Sequence, residues 1–348
     1  IVLCTCIVVE SDSFRYYMGR HMKVYIKNIS RKKGEFQFYM HQFVEACIRQ
    51  NIPFVNELHV CVRLKLSAVM IKLGHWINFF FCRCNNKAII VSTWGGGLMY
   101  TSFPYSLLYE IIPVFWDSWP FNWEEQIYSL RRLNCRTCFV TSSQVAQRIK
   151  ETLPNINVHW LPEGIDILDY VPGQDLTERS IEIYELGRQK ADYHKILCDL
   201  KSEGIFSSFL CNEYDINGMT TKLAFPTAKA LLKALPNIKI VISFPQVDTH
   251  PEKVGNIETL TQRYWEAMLS RNLIVGRAPN ELIQLIGYNP VIDVDWEDPK
   301  KQLSDILLNI SSFQKLVDRN YRTARKISSW DNRVKDIITI LRTSGYEI

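Results

Sequence analysis

Glu258-Thr-Leu-Thr-Gln-Arg-Tyr-Trp-Glu266-Ala-Met268 is the stretch on which the reading of this chain turns. It follows an apolar strand pattern, Ile238–Ser243, and a long loop, Phe244–Ile257. Its own pattern predicts a helix over Thr259–Ser270. Two glutamates eight positions apart on one helix lie about two turns apart, on roughly the same side. The start of such a helix offers free N–H groups, here those of Leu260, Thr261 and Gln262, and the positive end of the helix dipole. Both suit a diphosphate. The carboxylates suit the hydroxyls of a ribose and a hexose.

Working outward, short apolar runs alternate with helical patterns on both sides of this segment. Val24–Ile29, Ala88–Thr93, Ile112–Phe115, Cys138–Ser142 and Val158–Leu161 read as strands, with helices over His41–Gln50, Trp123–Leu133 and Ser143–Thr152. A turn-rich break, Leu161-Pro-Glu-Gly-Ile-Asp166, separates them from a second series. That series has strands over Ser180–Leu186, Ile205–Leu210, Ile238–Ser243, Leu273–Val275 and Val291–Val294. Its helices are Lys190–Glu203, Pro226–Ala234, Thr259–Ser270, Glu281–Ile286, Pro299–Ile310, Phe313–Ile327 and Arg333–Arg342. Such alternation predicts an α/β fold of two doubly wound, Rossmann-like domains joined near residue 165. Ligands of such sheets bind at the carboxyl ends of the strands, here in the cleft between the domains.

Composition agrees. The 348 residues are 47% apolar and 22% charged, enough for two cores and unlike a disordered chain. Residues 1–165 carry 18 Lys/Arg against 11 Asp/Glu, and residues 166–348 carry 23 against 25. A basic first half suits an anionic acceptor or the inner face of a membrane, or is ordinary surface variation. The charge is not gathered into an aromatic-laced stripe, so nucleic acid is not expected. Cys4/Cys6, Cys82/Cys84 and Cys135/Cys138 lack the paired knuckles of a zinc ribbon and read as reduced thiols of a cytosolic protein. Residues 1–21 are expected to be an upstream translation or an added strand or tail, with the folded unit starting near Met22. Leu66–Cys82 is interrupted by Lys72, His75 and Asn78, and reads as a core or membrane-surface helix rather than a spanning one.

The Glu258–Glu266 spacing resembles the two-glutamate motif of GT-B glycosyltransferases of the large group 1 family. Glu-Thr-Leu-Thr-x-Arg-Tyr-Trp-Glu followed by Leu-Ile-Val is nearest the CgeB-like subgroup. The resemblance covers most of the chain from Met22 onward. It implies a nucleoside-diphosphate sugar as donor, with Glu258 at the sugar, Glu266 at the ribose and no metal or further cofactor. Leu186-Gly187-Arg188 resembles the diphosphate clamp, with Lys190 or Lys195 as its lysine. An arginine fits because its planar fork binds phosphate oxygens in pairs. Leu161–Asp166 resembles the domain junction, with Glu163 in place of an asparagine. Trp330, Arg333 and the last helix resemble the segment, 329–348, that returns to the first domain. Residues 22–165 are then the acceptor side and 166–328 the donor domain. Retention of configuration is likewise implied by the resemblance, and the basic, aromatic-rich first half suits a glycan or lipid-linked glycan acceptor in surface-polysaccharide synthesis.

The acceptor side is less legible. Ser92-Thr-Trp-Gly-Gly96-Gly97 is a strand-end loop that is either a turn or a close approach to a ligand. It is neither a dinucleotide fingerprint nor a P-loop. In Val114-Phe-Trp116-Asp117-Ser-Trp119, Trp116 stands where the family often has a histidine. Asp117 is a candidate to orient sugar or acceptor, and Trp116 or Trp119 to stack on a sugar ring. Asp293-Val294-Asp295 is not taken as a metal site, because it follows the donor motif at a strand end. His194 reads as a surface or packing residue. Two rivals share this sequence: a non-catalytic nucleotide-sugar-binding or coat-assembly protein on the same fold, and a Rossmann-type oxidoreductase or epimerase.

Overall fold

The structure, a computed structural model, describes residues 22–29, 38–56, 73, 86–215 and 220–348. The readings of residues 1–21, of the apolar run 66–82 around Leu73, and of Cys4/Cys6 and Cys82/Cys84 lie outside the described residues.

In chain order the strands are β1 (Met22–Lys27), β2 (Phe54–Val55), β3 (Lys87–Trp94), β4 (Glu110–Trp116), β5 (Thr137–Val140), β6 (Asn157–Trp160) and β7 (Ile181–Glu185). Then come β8 (Phe209–Leu210), β9 (Glu213–Tyr214), β10 (Thr220–Lys222), β11 (Ile238–Ser243), β12 (Leu273–Gly276), β13 (Ile292–Asp293) and β14 (Tyr346–Glu347). They form two parallel sheets. One runs β14-β1-β3-β4-β5-β6, with β2 also beside β1, and the other runs β13-β12-β11-β7-β8. An antiparallel ribbon of β9 and β10 stands apart.

The central strands are apolar without alternation because both faces are covered. Along β4, Ile112, Val114 and Trp116 enter one core while Ile111 and Phe115 enter the other. Val241 of β11 likewise points into one core of the second sheet and Ile240 and Ile242 into the other. Period-two geometry makes this division automatic.

The chain crosses back after the helix Gln314–Ile327. Ile165 and Ser329 form a parallel bridge, with Ile165 N–H donating to Ser328 O at 2.8 Å and Trp330 N–H to Ile165 O at 3.1 Å. Helix Trp330–Thr343 then packs on helix Phe38–Arg49, and β14 pairs with β1. Trp330 is fully buried against Phe43 and Trp116, with ring centroids 5.5 and 5.4 Å away. A Cβ at Gly164 would sit 2.9 Å from the Trp330 ring, so the junction glycine makes room for the returning helix.

One difference from the sequence reading matters for the site. The helix begins at Gln262, not Thr259, and Thr261 flanks it in extended backbone. Glu258 therefore precedes the helix, and the two glutamates do not share a helical face. The cause is non-local. Glu258 N–H donates to Gln144 Oε1 at 2.7 Å, and Leu260 N–H to Glu281 Oε2 at 2.8 Å, so this segment's donors point across the chain. The loop before it contains two single-turn helices, Gln246–Thr249 and Pro251–Val254. The strand expected over Ile205–Leu210 is confined to its last two residues, and the last helix starts at Trp330. No helix among the described residues is long and apolar enough to cross a membrane.

Trp330→Ala removes a fully buried indole from the crossing point. It is expected to cost about 3–5 kcal/mol in equilibrium urea unfolding.

Candidate active site in the interdomain cleft

The turn after β7 determines where the cationic groups lie. Gly187 has φ +81°, a region L side chains avoid, and a Cβ there would lie 2.6 Å from Cζ of Arg263. A side chain here would be strained by the positive φ and would displace the Arg263 guanidinium that packs against this turn. Tyr214 Oη donates to Gly187 O at 3.0 Å and fixes the turn. Burial pushes the Arg188 guanidinium down to about 10, and the like charge of Arg263 adds to this. Asp117 and Glu163 oppose it. Two guanidiniums thus share a partly buried recess, where repulsion is weakly screened.

The first domain contributes Asp117, at the end of β4, with φ +44°. A non-glycine residue held in this region costs about 1–3 kcal/mol and persists where its surroundings fix it. The Tyr39 hydroxyl lies beside its carboxylate. Burial raises the Asp117 carboxyl, while Arg188, Tyr39 and Arg263 hold it down. Trp116, one residue earlier, faces the opposite way and is wholly buried with Tyr39, Phe43 and Trp330. Trp119 is also core, 8% exposed. Neither indole is open to a sugar ring, which corrects the stacking expectation.

Of the N–H groups expected to hold a diphosphate, those of Leu260, Thr261 and Gln262, the first and last are already engaged. Gln262 N–H donates to Glu163 Oε2 at 3.2 Å, and Leu260 N–H goes to Glu281. The helix start is therefore held by side-chain carboxyl groups of the chain itself, which removes Leu260 and Gln262 as open donors. Burial, and then the nearby Asp117, push the Glu163 carboxyl up to about 8, so it is largely protonated at neutral pH. Glu266 accepts a hydrogen bond from Tyr170 Oη at 3.1 Å. Burial raises its carboxyl against the pull of Tyr170 and Arg263.

Glu258 lies elsewhere in the cleft. Its Oε1 pairs with Arg277 Nη1 at 2.5 Å, and its Oε2 accepts from Asn280 N–H at 2.8 Å. Arg277 also pairs with Asp248 at 2.6 Å. Asp248, Arg277 and Asn280 form a wall between two cavities. One, of about 670 Å³, opens at the carboxyl ends of β11, β12 and β13, with Lys190, Phe244 and Trp296 in its lining. The other, of about 430 Å³, lies between the domains against Ser143, Gln144 and Glu258. The Lys190 ammonium sits 5.3 Å from the Trp296 ring centroid, and Lys195 is exposed on the helix Ala191–Ser202.

The domains are joined beside this site by a buried carboxylate. Glu281 accepts from Ser143 N–H at 2.6 Å and Ser143 Oγ at 2.7 Å, at the start of helix Ser143–Thr152, as well as from Leu260 N–H. Gly96, by contrast, lies on a loop whose glycines admit neighbouring side chains. A Cβ at Gly95 would meet Asn122 Oδ1 at 2.7 Å, and one at Gly96 would meet Glu125 Oε2 at 2.9 Å. Asp293 and Asp295 accept local hydrogen bonds from Asn289 Nδ2 and Glu297 N–H.

Of the residues singled out in the sequence, Arg188 and Asp117 meet within one recess, Glu266 flanks it, and Glu258 and Lys190 border the cavities. Sequence reasoning missed Arg263, although it stands inside the quoted segment. It also missed the carboxyl of Glu163, marked only by an acid in a Pro-Gly turn, and Tyr39, Tyr170 and Arg277.

No family model matches the chain, and no curated protein matches it. Solved structures do. Sucrose-phosphate synthase (tll1590) from Thermosynechococcus elongatus aligns over 93% of this chain and 99% of its own, with TM-score 0.58 and 11% identity. An α,α-trehalose-phosphate synthase (UDP-forming) from Burkholderia vietnamiensis aligns over 93% and 99%, with TM-score 0.56 and 9% identity. Anabaena Alr3699/HepE in complex with UDP-glucose aligns over 93% and 100%, with TM-score 0.55 and 12% identity. The fold is GT-B: two doubly wound, Rossmann-like domains facing a central cleft.

Glu163 carries a pH signature. Its folded pKa, about 8, lies above its unfolded value, so the folded state holds a proton that the unfolded chain releases first. This stabilisation is complete below the unfolded pKa and is lost as pH rises to about 8. Glu163→Gln keeps a neutral acceptor for Gln262 N–H. The wild-type stability, measured by urea unfolding against that of Glu163→Gln, should fall through this window and level off above it.

Proposed function

We propose that this chain transfers a hexosyl group from a nucleoside-diphosphate sugar to a hydroxyl of a glycan or lipid-linked glycan. The observation that carries this reading is the Arg188–Arg263 pair at the carboxyl end of β7, facing Asp117 of the other domain. Two partly desolvated guanidiniums side by side form a receptor for a group bearing at least two negative charges. A diphosphate supplies that charge and relieves their repulsion. The cavity at the ends of β11–β13 has room for a nucleoside, with Phe244 and Trp296 as apolar walls and Lys190 beside them. UDP-glucose is the molecule named with one of the structural relatives, and a UDP or GDP sugar is the donor class tested first.

In this reading the anomeric bond to the diphosphate breaks as the acceptor hydroxyl attacks. Arg188 and Arg263 stabilise the charge that develops on the leaving phosphate, so the reacting centre needs no metal ion. Asp117 orients the sugar or the incoming hydroxyl from the opposite wall. Glu266, positioned by Tyr170, accepts from the ribose. Glu258, with both oxygens engaged, holds Arg277 and the start of helix Asn280–Ile286 at the cavity wall. Retention of configuration, membership of the CgeB-like subgroup and work on surface polysaccharide at the inner membrane face extend the same proposal. The basic first half and the resemblance of the Glu258–Glu266 segment support them.

Calorimetric titration with UDP, GDP and NAD separates this reading from a dinucleotide enzyme. A nucleoside diphosphate should bind and NAD should not. Arg188→Ala and Arg263→Ala should each weaken that binding about tenfold to about a hundredfold, the loss of a charge-assisted contact of about 1.5–3 kcal/mol. Glu266→Ala should weaken it less. Release of nucleoside diphosphate from a panel of nucleotide sugars then tests turnover. Tight NAD binding with no response to either diphosphate, or wild-type affinity in both arginine variants, contradicts the assignment.

A further inference from the structure

Behind the cleft, three donor types meet at one point. Glu185 ends β7, His194 lies in the first turn of helix Ala191–Ser202, and Cys211 follows β8. One ligand atom from each lies within 4.8 Å of the other two. The Glu185 side chain is 1% exposed, and its Oε2 faces His194 Nδ1 at 2.6 Å. Its Oε1 is buried and has no hydrogen-bond partner. A buried carboxylate oxygen left unpaired is costly, and although the Gln189 side chain lies close enough to lower the carboxyl, its amide N–H is given to Asn212 O and does not pair Oε1. The other ring nitrogen of His194 is also engaged. Cys198, one turn further on, places Sγ 3.5 Å from Nε2. The second ring nitrogen of a metal-bound histidine characteristically has a partner that fixes the ring, usually a carboxylate, carbonyl or water, and here the Cys198 thiol stands in that place.

We propose that Glu185, His194 and Cys211 bind a zinc-class divalent cation as a structural clamp. One oxygen, one imidazole nitrogen and one thiolate form a mixed donor set that suits a borderline-soft, four-coordinate ion and not magnesium or calcium. Bond lengths of about 2.0–2.3 Å place tetrahedral ligand atoms roughly 3.3–3.8 Å apart. The His194–Glu185 contact would open by about 1 Å, and the wider contacts would close. On binding, the Cys211 thiol loses its proton to solvent and gains a bond to the metal. Three protein ligands would leave the fourth position to a water molecule.

The clamp would sit directly below the cleft. Glu185 lies three residues before Arg188. Gln189 Nε2 donates to Asn212 O at 2.9 Å, and Tyr214 Oη donates to Gly187 O, so the segment after Cys211 already grips the Arg188 turn. An ion here would lock β7, the helix start and that segment into one unit. Its place is apart from the reacting centre, and it stands whether or not the donor assignment holds.

The test is titration of the metal-stripped full chain with Co²⁺, followed by Zn²⁺. The wild type should develop a thiolate-to-cobalt charge-transfer band in the near ultraviolet and the intense visible bands of a tetrahedral site. Zn²⁺ should abolish both and raise Tm. Cys211→Ser should lose the charge-transfer band, and His194→Gln should weaken Co²⁺ binding by at least about tenfold. Circular-dichroism melts of the metal-free variants, matched to the metal-free wild type, show that they are folded. If Cys211→Ser does not fold, His194→Gln, at a partly exposed helix position, carries the same readout. Absence of the charge-transfer band in the wild type overturns the proposal. So does full retention of the cobalt spectrum and affinity in the variants.

Discussion

Two guanidinium groups facing one recess beside a glycine are the constraint around which the cleft is built. Arg188 arrives from the turn after β7 and Arg263 from the first turn of helix Gln262–Leu269, and Gly187 leaves room for the Arg263 guanidinium beside that turn. Like charges at this separation repel, and partial burial weakens the screening that water would supply. The surrounding carboxyls only partly answer this. Glu163 is pushed towards its neutral form by burial, and Asp117 is raised in the same way while the arginines draw it down. The recess therefore retains a net attraction for a multiply charged anion.

Holding that recess open requires the two domains to stay in register. Glu281 supplies much of this by reaching from the second domain to cap helix Ser143–Thr152 of the first, while its other oxygen fixes Leu260. The arrangement satisfies a helix N-terminus with a carboxylate, as the dipole favours. Gln144 and Ser142 add bonds to Asn256 and Glu258. On the far side Trp330 carries the chain back into the first core, and Arg49 pairs with both Asp166 and Asp331 at the junction. The segment that supplies Arg263 is thus anchored from both domains.

Much of the fold is legible in the sequence because it rests on continuous apolar runs such as Ala88–Val91, Ile111–Phe115 and Ile238–Ile242, which have no solvent-facing alternative. The strands that were not legible, β2, β9, β10 and β14, are two or three residues long: β2 and β14 exist through pairing with the distant β1, and β9 and β10 pair only with each other. The helix start was misplaced for a related reason. Leu260 and Glu258 spend their N–H groups on Glu281 and Gln144, partners that local pattern cannot reveal. Within the site, Gly187-Arg188 was singled out by its resemblance to a diphosphate clamp at a strand end, and the structure places Arg188 at the recess. Arg263 was not, because its importance comes from the space that Gly187 leaves. Trp116 and Asp117 show the limit of aligning positions: the pleat sends the indole into the core and leaves the aspartate to the cleft.

The most direct test is a crystal structure of the full chain with UDP. The account predicts the diphosphate in the recess, with its oxygens within hydrogen-bond reach of both Arg188 and Arg263, the ribose towards Glu266 and the base in the cavity beside Trp296. A diphosphate bound away from the two arginines, or a base lodged where the phosphates should lie, would contradict it.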